Sequence, residues 1–152
     1  GFVSGEYSLE EWNSSDKWKR EYEGMATGLL CFAEDIFGGQ FAIRGDMIYR
    51  FDPETGECED FASSLEKWAD LILSNFEVET GHRLALEWQK HFGPLQSGKR
   101  LIPKIPFVLG GGFDVSNLSA IDAVRGMHLR ANIATQIRDL PDGTKIKFEI
   151  TE

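Results

Sequence analysis

Between residues 28 and 61, apolar and polar side chains alternate in short runs separated by turn residues. Leu29, Leu30, Cys31 and Phe32 form an apolar run, and Gly38-Gly39 separates it from the next. Phe41 and Ile43 alternate with Ala42 and Arg44, and after the turn signal Gly45-Asp46, Met47, Tyr49 and Phe51 alternate with Ile48, Arg50 and Asp52. Asp52-Pro53-Glu54-Thr55-Gly56 is turn chemistry, because proline presets φ and glycine supplies a positive φ. Residues 57–61 then return as another strand. Period-two alternation between turns predicts an antiparallel meander, which needs other elements packed on its apolar face.

Helical spacing supplies that cover. Ser8-Leu9-Glu10-Glu11 fits a capping box and starts a short helix, and Trp18 and Tyr22, four apart, predict a second. Trp12 and Trp18 read as packing anchors. A further capping box at Ser63-Ser64-Leu65-Glu66 precedes Leu65, Trp68, Ile72 and Phe76 at helical spacing. Residues 77–81 break the helix, Leu84, Trp88 and Phe92 continue the period, and Gly93-Pro94 stops it. Residues 94–104 read as a polar loop, 106–109 as a short strand, and Gly110-Gly111-Gly112 as a backbone turn, since neither phosphate-binding glycine pattern is matched. Residues 117–123 read as extended, Leu129, Ile133, Ile137 and Leu140 as a helical stripe, and residues 144–152 as a last strand with one wet face. Together these predict one α+β domain over residues 1–152, mainly an antiparallel sheet of about five or six strands covered by amphipathic helices.

Length and composition agree with a packed domain: 152 residues, 41% hydrophobic and 12% aromatic. No apolar run reaches the ~20 residues of a membrane span. The chain begins at Gly1 instead of Met, and a cytoplasmic location is the default expectation. Cys31 and Cys58 have neither metal-ligand nor redox-pair spacing. They read as reduced, buried small apolar residues, with a disulfide between strands as the alternative.

Charge placement says more than charge sum. Residues 1–60 hold 14 acidic and 5 basic side chains, whereas residues 61–152 hold 11 of each, so the whole net charge of −9 lies in the first part. That disfavours nucleic acid and anionic membranes as partners and suits a basic protein. The candidate partner-binding carboxylates are Asp35, Asp46, Glu57, Glu59 and Asp60, with Glu57 and Glu59 on one strand face. His82, His91 and His128 have no metal-pair spacing and read as solvated or capping residues. No catalytic constellation, metal site or cofactor motif is found in the sequence.

Three segments carry a family resemblance: Phe-Ala-Glu-Asp-Ile-Phe-Gly-Gly-Gln-Phe-Ala-Ile (residues 32–43), Tyr-Arg-Phe-Asp-Pro-Glu-Thr-Gly (residues 49–56) and Leu-Glu-Lys-Trp-Ala (residues 65–69). They resemble the SUKH superfamily, the Smi/Knr-like proteins. The run of residues 100–111, with residues 133–137 and 140–143, is similar to a bacterial branch of it. The family's N-terminal helix and Leu-Pro…Asn-Gly turn have no counterpart in residues 1–28. Either a native N-terminal segment precedes Gly1 or this branch differs. The resemblance implies an α+β fold, no shared catalytic residues, and for bacterial members an immunity protein that binds and neutralises a cognate polymorphic toxin. Such a toxin would be basic, a nuclease for example. Fungal members imply the alternative, a regulatory adaptor of cell-wall synthesis without a toxin partner. A small enzyme using buried carboxylates is a third expectation, favoured if two or more inward-facing Asp or Glu side chains share a deep pocket.

Overall fold

The alternating stretch forms a four-stranded antiparallel meander of β1 (Leu30–Glu34), β2 (Gln40–Arg44), β3 (Met47–Phe51) and β4 (Cys58–Ala62), in sequence order across the sheet. The computed structural model describes residues 6–147, and the fold is α+β as predicted. Pairing of Cys31 with Ala42, Gln40 with Phe51 and Phe51 with Cys58 puts these side chains on one face of the sheet. Phe41, Ile43, Ile48, Arg50 and Glu59 take the other.

The first face holds the larger core. α1 (Leu9–Asn13) starts at the predicted capping box, with Ser8 and Glu11 bonded reciprocally. Trp12, Trp18 and Tyr22 are fully buried against Phe51 and Ala42. Each polar ring atom has a partner: Trp12 Nε1 donates to Gln40 Oε1 (2.8 Å), Trp18 Nε1 to Trp12 O (3.0 Å) and Tyr22 Oη to Pro53 O (2.8 Å). The helix predicted around Trp18 and Tyr22 is only a 3₁₀ turn, Lys19–Tyr22, ended by Glu23 in the left-handed region.

α5 (Ala123–Ile137) closes this core, and here the predicted stripe is the wrong face. Leu129 is exposed and Ile133 and Ile137 are half-buried, whereas Ala123, Gly126, Met127, Arg130, Ala131 and Ala134 are buried. Small side chains let the helix lie close to the tryptophan cluster, so burial follows fit and not side-chain size.

The second face is covered by α2 (Leu65–Ser74). Its cap is Ser64, which accepts from Lys67 N, one residue later than predicted. Trp68 stands edge-on to Phe32 and Phe41 with ring centroids 5.0 and 5.8 Å away. The helix ends at Asn75, α3 (Phe76–Thr80) comes next, and Gly81 at φ +69° turns the chain into α4 (His82–Phe92). Ala85 and Trp88 of α4 make a smaller core with Leu101 and Leu118, from the antiparallel pair β5 (Lys99–Pro103) and β6 (Leu118–Asp122).

Three expectations are corrected here. β5 lies within the stretch expected to be a polar loop, because Leu101 and Ile102 are buried, while Pro103 sits at the strand end. The strand expected over 106–109 is a 3₁₀ turn, Phe107–Leu109, closed by Leu109 N and Gly110 N on Pro106 O and Phe107 O (both 3.0 Å). The triple glycine is a backbone turn, as predicted, held by Asn117 Nδ2 on Ile105 O and Gly112 O (both 3.0 Å). The strand expected over 144–152 is not formed by residues 144–147, and its remainder lies outside the described residues. No helix among the described residues is long and apolar enough to cross a membrane.

Both cysteines are free, which removes the disulfide alternative. Cys31 is fully buried, and burial pushes its thiol up to about 12. Since the thiolate is the reactive form, a thiol-exchange reagent at mildly alkaline pH should modify at most Cys58 in the native protein. Both cysteines should react in denaturant. Rapid native labelling of Cys31, read by mass spectrometry, would show that this core opens.

Candidate functional site

Four segments that are distant in sequence meet around a cleft of 410 Å³: the turn after β1, the turn of residues 52–56, the 3₁₀ turn Phe107–Leu109 and α5. Asp35 supplies the inner end of one wall. It is 6% exposed, and its Oδ1 accepts from Phe37 N (2.9 Å) and Gly39 N (2.8 Å). Its Oδ2 accepts from Arg50 Nη2 at 3.1 Å, while Arg50 Nη1 donates to Glu79 at 2.7 Å. Burial raises the Asp35 carboxyl above the ordinary range, opposed by the Arg50 charge and the Gly39 N–H. This packing accounts for Gly38-Gly39: a Cβ on Gly39 would lie 2.5 Å from Asp35 Oδ2, and one on Gly38, at φ +83°, 2.7 Å from Arg130 Nη2.

Glu54 projects from the opposite turn. Asp52 Oδ1 accepts from Glu54 N at 2.7 Å, an Asx turn that orders the segment. The Glu54 side chain is 4% exposed; Oε2 accepts from Val108 N at 2.8 Å, and Oε1 has no partner. Its carboxyl is also raised by burial, with the Val108 and Phe107 N–H groups pulling the other way. Arg130 reaches the same cleft from α5, 4% exposed. It donates to Gly126 O (2.9 Å) and Phe37 O, and makes no ion pair among the described residues. Tyr22 Oη bridges Pro53 O and, at 3.3 Å, Met127 O, which pins the Glu54 turn to α5.

The outer part is different in character. Asp52, Glu57 and Glu59 form an exposed acidic lip. Phe107 and Phe113 stack with centroids 3.9 Å apart and Phe37 stands edge-on to them, giving an apolar wall.

Of the predicted carboxylates, the structure brings Asp35, Glu57 and Glu59 to this cleft. Asp35 is not the surface carboxylate the sequence suggested: it comes directly after β1 and folds inward to bond its own turn and Arg50. Asp46 is exposed in the β2–β3 turn, at the other end of the hairpin from Phe51. Asp60 pairs with Tyr49 and so faces the opposite side of β4 from Glu59. Glu54 and Arg130 are absent from the sequence-based set. For Glu54 the available signal is its place inside an Asx-type turn. For Arg130 it is register, since 123, 127, 130, 131 and 134 lie on one helix face. His82 and His91 are exposed, and His128 Nε2 lies 2.5 Å from Lys17 O. Among the described residues, no three His, Cys, Asp or Glu side chains are grouped to hold a metal.

No family model and no curated protein matches the chain. Among solved structures, the crystal structure of Atu4351 from Agrobacterium tumefaciens is similar at 18% identity and a TM-score of 0.49, over 76% of this chain and 63% of that one. The chain thus spans less than two thirds of that protein's length.

Proposed function

We propose that this chain is a non-catalytic protein-binding module, an immunity protein that holds a basic toxin domain inside the producing cell. The observation that carries the reading is how the cleft's carboxylates are used. Asp35 has donors on both oxygens, from its own turn and from Arg50, so it stabilises the fold and has no free oxygen for proton transfer. Asp52, Glu57 and Glu59 are exposed together on one lip. Fixed carboxylates there occupy the positions that phosphates would take on a nuclease surface, and they speed encounter with a basic partner.

A small enzyme is the second reading, favoured by one fact: Asp35 and Glu54 line the same cleft and both are held above ordinary carboxylate acidity. Against it, of these two buried carboxylates only Glu54 keeps an oxygen without a hydrogen bond, so the buried pair is not arranged as an acid and a base.

The reading requires a toxin gene beside this one, and co-expression with that toxin is the test. Wild-type protein should protect growth and bind the purified toxin domain, more weakly as salt rises. Glu57→Lys with Glu59→Lys should weaken binding about 10- to 100-fold and steepen the loss of protection. A toxin neither bound nor neutralised by the wild type would sink the proposal.

A further inference from the structure

We infer that the cleft receives one cationic side chain of the partner, a guanidinium or ammonium carried on an apolar stem. This deepens the binding reading and rests on it. The starting point is Glu54: a carboxyl 4% exposed, with Oε2 satisfied by Val108 N and Oε1 without a hydrogen bond of good geometry, the Phe107 N–H lying near enough only to pull on the group. A buried acceptor left unpaired costs stability, and a donor brought into the cleft by a partner would relieve that cost.

The charge count identifies the donor's sign. Asp35, Asp52, Glu54, Glu57 and Glu59 line the cleft against Arg50 and Arg130, an excess of three carboxylates. Arg50 is already held between Asp35 and Glu79. Arg130 is 4% exposed and commits three of its five N–H groups, to Gly126 O, Phe37 O and Met127 Sδ, with the guanidinium set behind the acidic lip. An anion would meet the acidic lip before it met either guanidinium, whereas a cation meets carboxylates all the way in. The stack of Phe107 and Phe113 offers an apolar surface to a hydrocarbon stem, and aromatic faces attract cations.

Titration of the intact protein with N-acetyl-arginine N-methylamide, followed by amide NMR shifts, tests this. Shifts should centre on Val108 and Glu54, and the isosteric citrulline derivative should bind at least about tenfold more weakly. Glu54→Gln keeps an oxygen for Val108 N and should weaken the arginine derivative about tenfold. Should that variant fail to fold, Glu57→Gln with Glu59→Gln alters only exposed side chains and should weaken binding by a similar factor. Equal binding of citrulline, or unchanged binding by the variant that folds, overturns the inference. So does free arginine binding tenfold tighter than its blocked form, which would mark a small-molecule site. If the arginine derivative fails while the toxin is still neutralised, this inference falls and the immunity reading stands. Cleft binding of the derivative with no toxin bound gives the reverse.

Discussion

Replacing Trp18 with alanine should lower unfolding free energy by about 3–5 kcal/mol, a large part of the ~5–15 kcal/mol available to a domain. The ring is fully buried, with centroids 5.9, 5.6 and 5.8 Å from Trp12, Tyr22 and Phe51. Its removal opens a cavity at the junction of α1, the sheet and the 3₁₀ turn, and leaves Trp12 O without its donor. Truncation also loosens Tyr22, whose hydroxyl holds the turn of Glu54 to α5, so the cleft should suffer with the core. Chemical denaturation with an unchanged slope would show a stability effect and not a change in compactness. Trp68→Ala is the internal comparison: that ring is only half-buried and its Nε1 has no partner, so about half the loss is expected. A Trp18→Ala loss below about 1 kcal/mol would mean that the N-terminal segment does not seal the sheet.

What the chain announces and what it hides have different physical origins. The meander is legible because period-two alternation and turn residues are local signals, and β2 and β3 pair across the Gly45-Asp46 turn as expected. α5 is misread because large apolar residues mark a stripe at Leu129 and Ile133, yet close packing on the aromatic cluster selects the alanine and glycine face. β5 is hidden by its polar start and its proline, since its pairing with β6 is a long-range fact. The site divides in the same way. Glu57 and Glu59 are recoverable from strand alternation alone, and both lie on the lip. Glu54 and Arg130 become site residues only when a turn and a helix 76 positions apart in number are brought to one cleft, which no local pattern encodes.

Asp35→Ala should be as damaging as the loss of Trp18, about 3–5 kcal/mol, because buried N–H donors lose their acceptor. The substitution leaves Phe37 N and Gly39 N unpaired and takes from Arg50 the inner of its two carboxylates. The turn it holds joins the two cores: Ile36 N donates to Thr80 O (3.0 Å), Leu101 N to Ile36 O (2.9 Å), and Arg130 to Phe37 O. Asp35→Asn keeps an acceptor for the turn and should cost about 1 kcal/mol at neutral pH. The sign of the pH dependence separates charge from shape. Because burial raises the Asp35 carboxyl in the folded state, its contribution is fully present below the ordinary carboxylate range and is lost as pH rises through the raised value. The margin of wild type over Asp35→Asn should therefore narrow as pH rises across that window, in paired denaturation curves. A margin that widens would mean that the Arg50 ion pair outweighs desolvation. Since the same turn lines the cleft, Asp35→Asn should still bind the arginine derivative and Asp35→Ala should not, a split that a purely peripheral carboxylate could not produce.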